Sequence, residues 1–137
     1  MGRVMTGLLI LFAGVVIAFG YVRLAPSDPV FWHKLPEINA DKDFKRGVIR
    51  VVETGPDGLA RLSQIATESP RTKILAGSIG DGKITYITRT RVVGFPDYTT
   101  VQQDGPHLKI YARSRFGRSD LGVNRNRVEA WIAALQS

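Results

Sequence analysis

The stretch HLKIYARSRFGRSDLGVNRNRVEAWIAAL, residues 107–135, changes its hydrophobic period halfway along. In the first third, Leu108, Ile110 and Ala112 alternate with Lys109, Tyr111, Arg113 and Arg115. This period of two is that of a half-buried strand. In the last third, Val128, Trp131, Ile132 and Leu135 recur at helical spacing and form one apolar stripe. Between them lie Gly117, Asp120 and Gly122, residues suited to a tight turn. Asn124 or Asn126 is the expected N-cap, and Asn126 with Glu129 three residues on fits a capping box. A strand that turns straight into a helix over about eight residues requires a sheet with helices packed on it.

Upstream, the same reading gives more strands. GVIRVVET (47–54) is a β-branched run. Thr54 and Asp57 form a helix-start pattern before Leu59, Leu62, Ile65 and Ala66, and Ser69-Pro70 ends that helix. Strands are expected over 72–76, 83–93, 97–103 and 107–115. The predicted class is α+β: an N-terminal transmembrane helix, then a small antiparallel sheet of about five strands in the order β-α-β-β-β-β-α, with two helices on one face.

Residues 4–22 pass without a charge and are long enough, at about 1.5 Å per residue, to cross a bilayer core. They are read as a membrane anchor occupying residues 1–22. A cleavable signal peptide is the rival, with Ala18-Phe19-Gly20 at suitable spacing, but its apolar core commonly runs only about 7–15 residues. Residues 23–46 contain Pro26, Pro29 and Pro36 and read as a Pro-rich connector to a domain at 47–137. Phe31 and Trp32 suit either a headgroup-level anchor or a cap on the domain core. One arginine before the span favours a cytoplasmic N-terminus, which places the domain in the periplasm on a single pass through the cytoplasmic (inner) membrane.

The chain carries 19 Lys and Arg against 12 Asp and Glu, a net charge of +7, and has no cysteine. Thiolate catalysis, disulfides and cysteine zinc sites are excluded. A basic surface attracts anions: lipid headgroups, nucleic acid or an acidic protein face. Thirteen of the basic residues are arginine, whose planar fork pairs with carboxylate or phosphate.

Specific chemistry is sparse. Residues 77–83, GSIGDGK, match a phosphate-loop pattern until Ile84 stands where serine or threonine should be. A strand-like run follows it, so a hairpin is expected instead. His33 and His107 have no metal-ligand spacing, and neither a metal nor another cofactor is expected. His33 with Asp28 is the one local pair suited to acid–base work.

The arginine-rich corner remains. Arg89 and Arg91 share a face of one expected strand, Arg113 and Arg115 of another, and Arg118 and Arg125 follow in the turn and helix. Asp97 and Asp120 are the nearby acids. Two readings stay open. In one, the acids and arginines form a buried network that fixes the turn, with Gly117, Asp120, Gly122, Asn124 and Asn126 as turn and cap. In the other, Arg89, Arg91, Arg113, Arg115, Arg118 and Arg125 bind an anion or partner. Residues 105–127 hold six basic side chains and one acid, so not all can pair internally.

The block RSRFGRSDLGVNRNRVEAWIAAL resembles the C-terminal signature of the bacterial and plastid family called domain of unknown function 1499. Arg113, Ser114, Arg115, Gly117, Ser119, Asp120, Gly122, Asn124 and Arg127 carry the likeness. Phe95-Pro96-Asp97 resembles the family's F-x-D element, with a proline inside it, and residues 23–33 resemble the start of membrane-anchored proteobacterial members. The resemblance implies a small α+β domain at a membrane and supplies no catalytic residues.

The expected function is therefore a non-enzymatic, membrane-anchored accessory or assembly component that binds an anionic ligand or a membrane-protein partner. Membrane lipid and a membrane-protein complex are the expected partners, and nucleic acid is not. The alternative is a small hydrolase-type enzyme using His33, Asp28 and the arginine corner.

Overall fold

Every antiparallel hairpin expected from the turn residues forms, and one more precedes them. The computed structural model describes residues 2–137. The elements are α1 (Gly2–Leu24), α2 (Pro29–Trp32), β1 (Lys42–Phe44), β2 (Gly47–Glu53), α3 (Gly58–Glu68), β3 (Thr72–Ser78), β4 (Lys83–Arg89), β5 (Pro96–Asp104), β6 (His107–Ser114) and α4 (Val123–Gln136). The six strands make one open sheet in the order β1-β2-β6-β5-β4-β3, all neighbours antiparallel. After β2 the chain crosses one face as α3 and starts again at the far edge. It then meanders back through β3, β4 and β5 until β6 closes against β2. Residues 77–83 are a hairpin, with Ser78 opposite Lys83 and Gly82 at φ 73°.

α3 and α4 cover one face. Leu59, Leu62 and Ala66 of α3 and Val128, Trp131, Ile132 and Leu135 of α4 pack on Val48, Ile84, Tyr86, Val101, Leu108, Ile110 and Ala112 of the sheet. Each large apolar side chain buried here contributes roughly 1.5–3 kcal/mol. Trp131 meets Tyr86 edge-on at 5.9 Å, and its Nε1 donates to Ser69 Oγ at 2.8 Å.

Four local expectations need correction. β1 is a strand that the proline-rich stretch concealed. It is three residues long, below the length at which alternation is readable, and it exists because Gly47 lets the chain fold tightly: a Cβ there would lie 2.0 Å from the Ala112 carbonyl. β4 ends at Arg89, so Arg91 lies in the following loop; Gly94 turns back at φ 78° and Thr90 N donates to Phe95 O. α3 takes no cap from Thr54, whose hydroxyl donates to Gly55 O; Gln103 Oε1 accepts from Leu59 N instead. α4 starts at Val123, before either asparagine can cap it. Asp120 accepts from Gly122 N and Asn124 N, and Glu129 is held by Arg50 at 2.7 Å rather than closing a box with Asn126.

The segment before β1 lies on the opposite face. Ala25 and Ile38 are buried, and Trp32 stacks on Tyr98 with centroids 3.9 Å apart and planes 12° from parallel. Trp32 thus belongs to the domain, while Phe31 stays exposed. α1 has no buried residue, and it is long and apolar enough to cross a membrane.

Candidate functional site

Side-chain alternation sorts the arginine-rich corner onto two faces of the sheet. On β6, Ser114 points toward α3 and α4, while Tyr111 and Arg113 point away. β5 lies between β4 and β6, so Arg89 and Arg115 are not on neighbouring strands; both flank Pro96. The sheet itself separates Arg113 from the acids expected near it.

On the helix side, the residues of the C-terminal signature form a closed network. Buried Asp97 accepts from Ser114 Oγ at 2.8 Å and from Arg127 Nη2 at 3.2 Å. Asn124 Nδ2 donates to Ser114 Oγ at 3.0 Å and to Asp120 Oδ2 at 2.9 Å, and Asn124 Oδ1 accepts from Arg127. Burial raises the pKa of Asp97, against the pull of Ser114 and Arg127. Ser114, Asp120, Gly122, Asn124 and Arg127 therefore weld the start of α4 to β5 and β6. Gly117 turns the loop at φ 88°, and Asn126 is exposed.

On the other side sits Arg113, 6% exposed and without an ion pair among the described residues. Its guanidinium donates to the Trp32 carbonyl, to Thr100 Oγ1 at 2.8 Å and to Tyr111 O at 3.2 Å. It lies 4.4 Å from the Tyr111 ring centroid and 5.6 Å from that of Trp32, a cation over aromatic faces. Burial pulls its pKa down to about 10, so it is still a cation at neutral pH. A polar row continues from it: Thr100 contacts Thr85 at 2.8 Å, and Thr85 contacts His33 Nδ1 at 2.7 Å. Burial and then Lys83 lower the pKa of His33. Gly77 leaves room for the His33 ring, since a Cβ there would lie 2.7 Å from its Cε1.

Above Arg113 opens a groove of about 460 Å³. Phe31, Trp32, Phe44 and Tyr111 supply its apolar walls; Lys45, Arg46, Arg113 and Arg118 supply its charge, and no carboxylate lines it. Lys45 and Arg46 are the two-residue loop between paired Phe44 and Gly47. Arg46 also donates to the carbonyls of Ser114 and Arg115. The arrangement suits a flat or amphiphilic anion: ring faces to cover, forked donors to hold the charge.

The six candidate arginines do not form one site. Arg113 and Arg118 line the groove. Arg115 ties down the proline-rich segment through Pro26 O at 3.0 Å and lies over Phe116. Arg89 and Arg91 border a different depression. Arg125 pairs with Asp43 at 3.6 Å on the other flank. Asp28 accepts from Val30 N at the start of α2, so it and His33 have separate partners. Lys45, Arg46, Phe44 and Tyr111 were not singled out from the sequence. Tyr111 carried a signal, because it stands two residues before Arg113 on a strand; Lys45 and Arg46 needed the tertiary contact.

An apolar N-terminal helix followed by an open six-stranded antiparallel sheet, with two helices on one face, defines a small α+β domain with a candidate membrane span. Residues 23–135 match the family described as Protein of unknown function (DUF1499), and the chain belongs to that family. No curated protein and no solved structure matches the chain. The matched region begins beside the end of α1 and takes in the segment that packs on Tyr98.

Proposed function

We propose that the chain is a single-pass, membrane-anchored accessory protein whose domain lies on the periplasmic side of the inner membrane and holds an anionic ligand in the Trp32–Arg113 groove. The carrying observation is Arg113. A cation buried without a carboxylate costs stability, and three hydrogen bonds with ring contacts offset that cost only in part. An anion in the groove would complete its pairing. Lys45 and Arg118 stand at the rim with exposed side chains, and none of the groove residues opposes them in charge. The uncovered apolar surface of α1 supports a retained anchor, because water would otherwise meet it on every side. A membrane-protein partner presenting a carboxylate or phosphate would use the same groove.

The test uses the full chain carrying Trp131→Phe, so that emission reports Trp32, in neutral phosphatidylcholine nanodiscs titrated with 1-naphthyl phosphate. Saturable quenching is expected with the groove intact. Lys45→Glu with Arg118→Glu should weaken it by at least on the order of tenfold, equivalent to about 1.4 kcal/mol. Equal quenching in both proteins would sink the groove as an anion site.

A further inference from the structure

A second depression lies at the foot of α1. We propose that it is a binding site for the phosphodiester headgroup of an anionic glycerophospholipid from the leaflet that faces the domain. The inference rests on the anchoring part of the function proposed above and not on the groove. The depression measures about 340 Å³, and Arg23, Arg71, Lys73, Arg89 and Arg91 line it without a carboxylate. None of these five cations forms an ion pair among the described residues.

The fold gathers them for a definite reason. The start of β3, the end of β4 and the loop at 90–95 all lie at one end of the sheet, and the C-terminus of α1 is fastened to that same end. Arg89 Nη1 donates to Gly94 O at 3.0 Å and to Val22 O at 3.5 Å. Arg71, at φ 54°, donates from Nε to Arg89 O at 3.0 Å. Gly94 is buried because the Arg23 side chain lies against it; a Cβ there would be 2.9 Å from Arg23 Nε. Tyr21 contacts Phe116 edge-on at 6.1 Å, a second tie between α1 and this end. The negative end of the α1 dipole offsets part of the charge, within its last turn. Five like charges around one depression still repel unless an anion enters.

Position selects the source of that anion. Arg23 directly follows the apolar run of α1, which sets it at the level of the headgroup phosphates. Leu24 and Val92 beside it are about four-fifths exposed, at 82% and 78%, and would meet the upper acyl region. Leu121, held at φ 53° and 88% exposed, projects from the loop after β6 at this same end. A basic rim with apolar tips is the surface that an anionic leaflet attracts.

The full chain is reconstituted in nanodiscs of mixed phosphatidylcholine and phosphatidylglycerol, ejected, and examined by native mass spectrometry for retained lipid. The wild type should keep phosphatidylglycerol over phosphatidylcholine. Lys73→Glu with Arg91→Glu should lower that preference roughly thirtyfold, at about 1 kcal/mol for each juxtamembrane cation lost; Arg125→Glu, outside the depression, should leave it intact. Indifference of the wild type between the two lipids overturns the site, as does wild-type preference in the double variant. Retention of inorganic phosphate in place of lipid, when both are offered, assigns the depression to a soluble anion and also overturns it. A chain that fails to enter neutral nanodiscs would overturn the anchor and the lipid site together, which separates that failure from loss of the site alone.

Discussion

Replacing Arg113 with methionine separates a residue that holds the fold from one that the fold tolerates. The residue is 6% exposed, and burial pulls its pKa well below the usual guanidinium range, to about 10. At about 1.4 kcal/mol per pH unit, keeping the cation in this position costs about 3 kcal/mol relative to water. Methionine removes that cost and still fills the space beneath Trp32. The acceptors it deserts are not orphaned. Thr100 Oγ1 keeps Thr85, the Trp32 carbonyl keeps Thr100 at 3.3 Å, and Tyr111 is only half-buried. The lost cation–ring contacts return about 1–2 kcal/mol to the other side. The expected net change is between zero and about 2 kcal/mol of added stability, with a Tm rise of up to roughly 10 °C. The assay is thermal unfolding of the full chain in nanodiscs, followed by near-ultraviolet circular dichroism. In the same variant, 1-naphthyl phosphate binding should be lost. A loss of more than about 3 kcal/mol would mean that Arg113 serves the fold, and the main support for a ligand groove would go with it.

The opposite result is expected at Asp97. Asp97→Ala leaves Arg127 partly buried without its carboxylate and should cost about 3–5 kcal/mol, read as a lowered Tm or an unfolded domain; a Tm within a degree of wild type would disprove the network. Asp97 also has a pKa raised above 3.8 by burial, so between pH 3.8 and its folded value the folded state binds more protons than the unfolded. Its contribution to stability therefore falls as pH rises through that window, and Asp97→Asn should abolish that slope in Tm against pH. His33 behaves in the reverse sense: its pKa is lowered from 6.5, so stability should drop as pH falls from 6.5 through the folded value, and His33→Gln should flatten the drop. The cysteine-free chain makes sidedness simple to measure. Ser137→Cys should react in intact cells with a maleimide that crosses the outer but not the inner membrane; labelling only after lysis would place the domain in the cytoplasm.

Much of the architecture was legible in the sequence because it depends on periodicity. Leu108, Ile110 and Ala112 alternate, Val128, Trp131, Ile132 and Leu135 recur at helical spacing, and an uncharged run at residues 4–22 is long enough to span a bilayer. Those patterns determined the class, two of the helices, the meander and the membrane-length segment. β1 escaped because three residues carry no period. The start of α4 was misplaced by a few residues because asparagine is a good cap in general, while here the Asp120 carboxylate reached the free N–H groups first.

Alternation also determined that Tyr111 and Arg113 share a face. It says nothing of which strands adjoin or what covers that face, and those are decided by contacts between residues far apart in the chain. Only the tertiary structure inserted β5 between the arginine-bearing strands and laid Trp32 on Tyr98. Only it put Asp97 and Asp120 on the far side of the sheet from Arg113. The surplus of arginine over acid was visible in the sequence. The backbone sheet that keeps the buried cation apart from Asp97 and Asp120, and so leaves Arg113 open to a groove, was not.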